Sequence, residues 1–172
     1  MKESGRNIKR RLYALSLIGD RFSRAKHFRG HGVHSPFVYN MVRKVFMRRG
    51  ELLVPDHALF DSLVAKGISR RRAAELQNSM AYCGATTFAI DNATCSADFN
   101  IFTEEFPFAD LVAVAKHATQ NKVALVIISP YKTRERNNIC NEIVEQHTST
   151  SIDNRAYLIL LNNHLPKQHF RL

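Results

Sequence analysis

KVALVIIS, Lys122 to Ser129, is the stretch whose reading decides the fold. Val123 to Ile128 form an unbroken apolar run without the in–out alternation of a half-wet strand. That pattern predicts a strand covered on both faces, central in a parallel sheet flanked by helices. Pro130 and Tyr131 close it. Downstream, a helix is predicted from about 134 to 146, burying Ile139, Ile143 and Val144. An apolar run then covers Arg155 to Leu161, followed by a turn at Asn162, Asn163 and Pro166 and a last short strand, KQHFRL. Upstream lie two β-rich runs, Thr86 to Asp91 and Asp98 to Thr103, with a turn through Asn92 and Ala93 between them. A helix from about 108 to 119 follows, its buried side Leu111, Val112, Val114 and Ala115. The alternation predicts an α/β fold: a small, open, mostly parallel sheet closed by a C-terminal antiparallel hairpin.

Helices precede the sheet. In FRGHGVHSPFVYNMVRKVF, Phe28 to Phe46, Ser35 is a natural N-cap and Pro36 suits the first helical position. Phe37, Val38, Met41, Val42, Val45 and Phe46 draw one apolar stripe after it. Gly30 and Gly32 around His31 favour a sharp turn that would bring His31 and His34 to that helix start. Asp56 is placed to cap a short helix carrying Leu59, Phe60, Leu63 and Val64, which stops at Gly67. Ser69 is expected to cap the next, with Ala73, Leu76, Met80 and Cys83 as its stripe and Gly84 at its end. Residues 6 to 26 read as an amphipathic helix, with Ile8, Leu12, Leu15, Ile18 and Phe22 on one face. Two units follow: a basic helical N-terminal segment, 1–50, and a shortened α/β domain, 51–172.

Charge separates those units. Residues 1 to 49 hold 13 Lys or Arg against Glu3 and Asp20, a net of +11, so the other 123 residues carry 10 − 11 = −1 of the total +10. The basic amphipathic helix has several possible partners: RNA, an anionic membrane surface, another subunit or the rest of its own chain, and no aromatic interleaving or RNP-like motif singles out nucleic acid. Cys83, Cys95 and Cys140 are odd in number and form no C-x-x-C pair, which predicts reduced thiols in a cytoplasmic protein. Asp20, Arg21 and Arg24 interrupt the early apolar residues, so no secretory signal is read there. No segment approaches the roughly 20 apolar residues of a membrane span.

Two segments resemble a family of bacterial class I methyltransferase-like proteins. HGVHSPFVYNMVRKVF, His31 to Phe46, looks like that family's N-terminal signature. In the second, Ala124 to Leu172, ALVIISPY is similar to the family's late core strand, TRERNNICNEIVEQH to the helix after it, and SIDNRAYLILLNNHLPKQHFRL to the closing hairpin. The resemblance implies a Rossmann-like domain that binds S-adenosylmethionine, with a strand ending in an acid, a Gly-rich turn at the methionine part and a second acid on the ribose. Asp91 and Glu104, with Glu105 beside it, stand in the corresponding places. The glycines do not: there is no G-x-G between Leu59 and Lys122, and Asn92 and Ala93 follow Asp91. The late strand ends in Ser129, Pro130 and Tyr131 where relatives carry acids. The expectation is a nucleotide site that has been lost.

His31 and His34 have the spacing of two metal ligands but no identifiable third, so hydrogen bonding at the helix start, with Arg29 and Ser35, is the expected use. Ser35 reads as a cap and the thiols as core, none as a nucleophile. Asp153, Lys167 and His169 are expected to organise the sheet edge. Three functional readings follow. One is a non-catalytic interaction or assembly module without cofactor, acting on a protein partner or by self-association. Another is an S-adenosylmethionine-dependent methyltransferase with a rebuilt pocket. The last is a binder of RNA or an anionic surface through residues 1–49.

Overall fold

The helix after Ser35 begins as its side chains dictate. In the computed structural model, which describes residues 12, 13, 15, 16, 18, 33–48 and 50–172, Ser35 has an extended backbone and its hydroxyl accepts from the Val38 amide at 3.4 Å. Pro36 opens α1 (Pro36–Lys44), and a 3₁₀ turn, Phe46–Arg48, follows. Asp56 accepts from the Ala58 amide at 2.9 Å ahead of α2 (Ala58–Ala65), but the N-cap position belongs to His57, whose side chain makes no capping bond, a correction to the expected Asp56 cap. Gly67, at φ +79°, lets the chain leave that helix. Next comes α3 (Arg70–Tyr82), ended by Gly84 at φ +72°. Ser69 holds the N-cap position of α3, but its side chain makes no capping bond, a correction to the sequence reading. Only the backbone enters the helix there.

The sheet has six strands: β1 (Phe88–Ile90), β2 (Phe99–Phe102), β3 (Ala124–Ile128), β4 (Thr150–Asp153), β5 (Tyr157–Leu160) and β6 (Gln168–Arg171). Between them run α4 (Leu111–Asn121) and α5 (Arg134–Gln146). Spatial order is β1-β2-β3-β5-β4-β6, with β1, β2 and β3 parallel, β5 antiparallel to both β3 and β4, and β6 parallel to β4. The sheet is therefore mixed. Its hairpin is not the expected one: β5 turns back on β4, which the sequence reading left without a strand, and β6 returns to the far side of β4. Thr150 and Ser151 hide a strand from a search for apolar alternation, although all four β4 residues are buried.

β3 is buried along its whole length, as its composition requires. Val126 and Ile128 face the layer of α1 to α3, with Met41, Leu59, Leu63 and Leu76. Leu125 and Ile127 face α4 and α5, with Leu111, Val114, Cys140 and Ile143. Val38, Met41, Val42 and Val45 thus join the same core as α2, α3 and the sheet. On α5, Ile143 is fully buried, while Ile139 and Val144 are only partly so and Arg136 and Cys140 take the inner positions.

α3 departs furthest from its expected stripe, because every residue from Ala73 to Met80 is buried. Its polar side chains are enclosed with partners. Gln77 Oε1 accepts from the Phe60 amide, Asn78 bridges the Leu53 amide and the Glu51 carbonyl, and Glu75 accepts from Arg71 Nε at 2.9 Å and Tyr157 Oη at 3.1 Å. Satisfied in this way, polar groups can enter a core without the full desolvation penalty.

Candidate functional site

In open α/β sheets, ligands meet the carboxyl ends of the parallel strands. Here those ends carry Asp91, Thr103 to Glu105, and Ser129 to Lys132. The link from β1 to β2 determines how they sit. Parallel neighbours need a crossover of about a dozen residues or more, usually with a helix, yet only residues 91–98 join β1 to β2. This eight-residue link holds two non-glycine residues in the left-handed region, Asp91 at φ +56° and Cys95 at φ +47°. Asp91 tolerates that backbone because a short polar side chain bonds locally. Cys95 turns its thiol into the core beside α4, with Sγ 3.7 Å from the Val114 carbonyl oxygen.

Side chains staple the link at both ends. At the carboxyl end, Asp91 accepts from the Thr103 amide at 2.7 Å and from Thr103 Oγ1 at 2.8 Å, joining β1 to β2. Lys66, from the end of α2, donates to Asp91 at 3.2 Å and to Glu105 at 3.4 Å. At the amino end, one oxygen of Asp98 accepts from the Thr86 and Thr87 amides and from the Thr86 hydroxyl, each at 3.0 Å. Those donors, the backbone amide of Thr86 foremost, hold the Asp98 carboxyl down to about 2.

Glu104 forms an ion pair with Lys132. Burial alone would raise the Glu104 pKa, but Lys132 and Ser129, with the charge of Arg136, outweigh it and keep the carboxyl below its ordinary value. Arg136 lies buried under this rim and donates to the carbonyls of Thr103 at 3.1 Å and Ile128 at 3.0 Å, tying β2 to β3. Burial pushes its pKa down, while Cys140, Glu104 and Asp91 work in the opposite direction. The three thiols are unpaired, and burial pushes Cys83 up to about 12 and Cys140 up to about 11, which leaves them protonated and poorly nucleophilic.

Chemically, this rim is already occupied by the chain itself. The Asp91 amide donates to the Ile101 carbonyl at 2.8 Å, the Cys95 amide to Asn92, and the Thr94 amide to the Asn92 side chain. A cradle for an anionic or nucleotide ligand needs such amides pointing outward. Asp91 is engaged by both donors of Thr103 and by Lys66, and Glu104 by Lys132.

Comparison with protein families, curated proteins and solved structures finds no match for this chain.

The candidates read from sequence fall in two places. Asp91 and Glu104 share the rim, through Thr103, Lys66, Glu105 and Arg136. Ser35 is the cap of α1, and His34 beside it is exposed. Arg29 and His31 lie outside the described residues. Among the described residues, no three His, Cys, Asp or Glu side chains gather into a metal-binding set. Sequence reasoning missed Lys66, Thr103, Lys132 and Arg136. Lys66 is 25 positions from Asp91, and no local pattern announces such a pairing. Arg136 had one available signal, a long basic residue in the first turn of a helix that follows a buried strand. Asp153, Lys167 and His169 lie along the β4–β6 side: Asp153 accepts from Tyr131 Oη, Lys167 Nζ donates to the Glu145 carbonyl, and His169 Nδ1 is 2.8 Å from Ser151 Oγ.

Proposed function

We propose that this chain is a shortened relative of class I methyltransferases that has given up the cofactor and serves as an interaction or assembly module for a protein partner. The observation that carries the proposal is the state of Asp91. The acid that the resemblance sets against S-adenosylmethionine is held by both donors of Thr103 and by Lys66, in a link too short for a helix. The segments resembling the late strand and its helix are consecutive here as β3 and α5, which supports the ancestry. The missing glycines and the internally used amides support the loss of the cofactor. Among the described residues β1 ends the sheet without a second neighbour, with Phe88 and Ile90 half-buried, and a partner that adds a strand or covers that edge would complete it. Three unpaired thiols suit a reducing, cytoplasmic setting.

Calorimetry of the full chain with S-adenosylmethionine and with its demethylated product tests the proposal. The expected result is no binding heat with either. Saturable binding that Asp91→Ala abolishes would overturn it in favour of a methyltransferase with a rebuilt pocket.

A further inference from the structure

Leu12, Tyr13, Leu15, Ser16 and Ile18 are helical, and Ser16 Oγ donates to the Tyr13 carbonyl at 2.7 Å. Leu12 is 60%, Leu15 59% and Ile18 41% exposed. At 3.6 residues per turn these three share about a third of the helix circumference, and Tyr13 falls almost opposite Leu15. Tyr13 is half-buried with its hydroxyl enclosed, and it has no hydrogen-bond partner among the described residues. Burial pushes its phenol pKa up, and the nearby Cys140 and Glu135 of α5 add to that. The Tyr13 side is therefore the enclosed one, and the aliphatic stripe is exposed. A single exposed Leu needs no explanation. Three on one helix face, in the segment that holds the chain's entire positive excess, define a surface with both apolar and electrostatic character.

We propose that Leu12, Leu15 and Ile18 seat this protein on an anionic lipid surface, the aliphatic stripe entering the headgroup layer and the net +11 charge of residues 1–49 supplying the attraction to acidic lipid. The proposal is independent of whether the methyltransferase cofactor binds. Charge selects the occupant. A second copy would bring another +11 segment against the first, and such like-charge contact opposes association. RNA would satisfy the charge, but it is held by phosphate contacts and base stacking, to which an aliphatic stripe contributes little. An anionic bilayer takes both features at once, since interfacial helices bind through buried apolar area plus attraction to acidic headgroups. Among the described residues no helix is long and apolar enough to cross a membrane.

The test is flotation of the full chain with vesicles of phosphatidylcholine mixed with phosphatidylglycerol, beside pure phosphatidylcholine vesicles and a single-stranded RNA oligonucleotide. Leu12→Gln/Leu15→Gln keeps the net charge, Leu12→Ile/Leu15→Ile keeps the stripe, and circular dichroism verifies that both variants fold. The wild type and the Ile variant should float with the mixed vesicles. The Gln variant should bind them at least about tenfold more weakly, and pure phosphatidylcholine should be bound weakly by all. Absence of vesicle binding, equal binding by the Gln variant, or tighter binding to RNA that the Gln substitutions leave unchanged would each overturn the proposal. So would a leucine-dependent dimer that ignores vesicles.

Discussion

Two parallel connections in one sheet are built in opposite ways. From β2 to β3 the chain runs through residues 103–123 and lays α4 on the sheet, burying Leu111, Val114, Ala115 and Ala118. From β1 to β2 it has residues 91–98 alone, and Asp91 and Asp98 replace a helix with hydrogen bonds at the two ends. Apolar burial is non-directional and nearly indifferent to pH. Carboxylate staples are directional, and that of Asp98, whose pKa is held down by its donors, weakens when it is protonated. The β1 side of the sheet is therefore the part whose stability solution conditions can tune, and β1, like β6 at the other end, is an edge of the sheet among the described residues.

Truncating the helical connection should have the largest effect. Leu111 is fully buried, so Leu111→Ala should destabilise by about 2–5 kcal/mol in urea denaturation, with little dependence on pH. Next, Asp91→Ala removes two hydrogen bonds and the Lys66 pair, for a loss of about 2 kcal/mol. Asp91→Gly separates the two causes. It relieves the positive φ but keeps the lost bonds, so it should recover only a few tenths of a kcal/mol if the staple matters more than the backbone. An Asp91→Ala loss exceeding that of Leu111→Ala would reverse the ranking drawn between the two connections.

Asp98 gives the smallest and most specific effect. Its carboxylate is exposed, so Asp98→Ala should cost only about 1 kcal/mol after discounting for solvent. The sign with pH is fixed. A carboxyl whose folded pKa is held down to about 2 adds stability that is fully present above its unfolded value of about 4, and loses it as pH falls through that window. Glu104, also depressed, acts in the same direction. Thermal melts from pH 7 down to pH 2 should show a fall in midpoint that is smaller in Asp98→Asn than in the wild type. Identical slopes would mean that the staple at the amino end carries no stability.

Much of this architecture was legible beforehand. The Ser35–Pro36 start, the Asp56 bond, the glycine exits after α2 and α3, and the double burial of β3 all follow from neighbours in sequence. β4 escaped because its burial comes from lying between β5 and β6, not from its own composition. For the candidate site, Asp91 and Glu104 were identified as residues, but the groups that occupy them were not. Lys66 and Arg136 reach the rim from elements far along the chain.

By itself the sequence determined where α1 starts, where α2 and α3 end, that β3 is a buried strand and which segment holds the charge, because capping, backbone freedom and apolar period act over a few residues. Tertiary structure alone decided that β5 lies between β3 and β4, that α3 is buried on its polar side too, and that Asp91 faces Thr103 and Lys66. Those are pairings between distant residues, and they exist only once packing has brought the surfaces together and removed the water that would otherwise satisfy them.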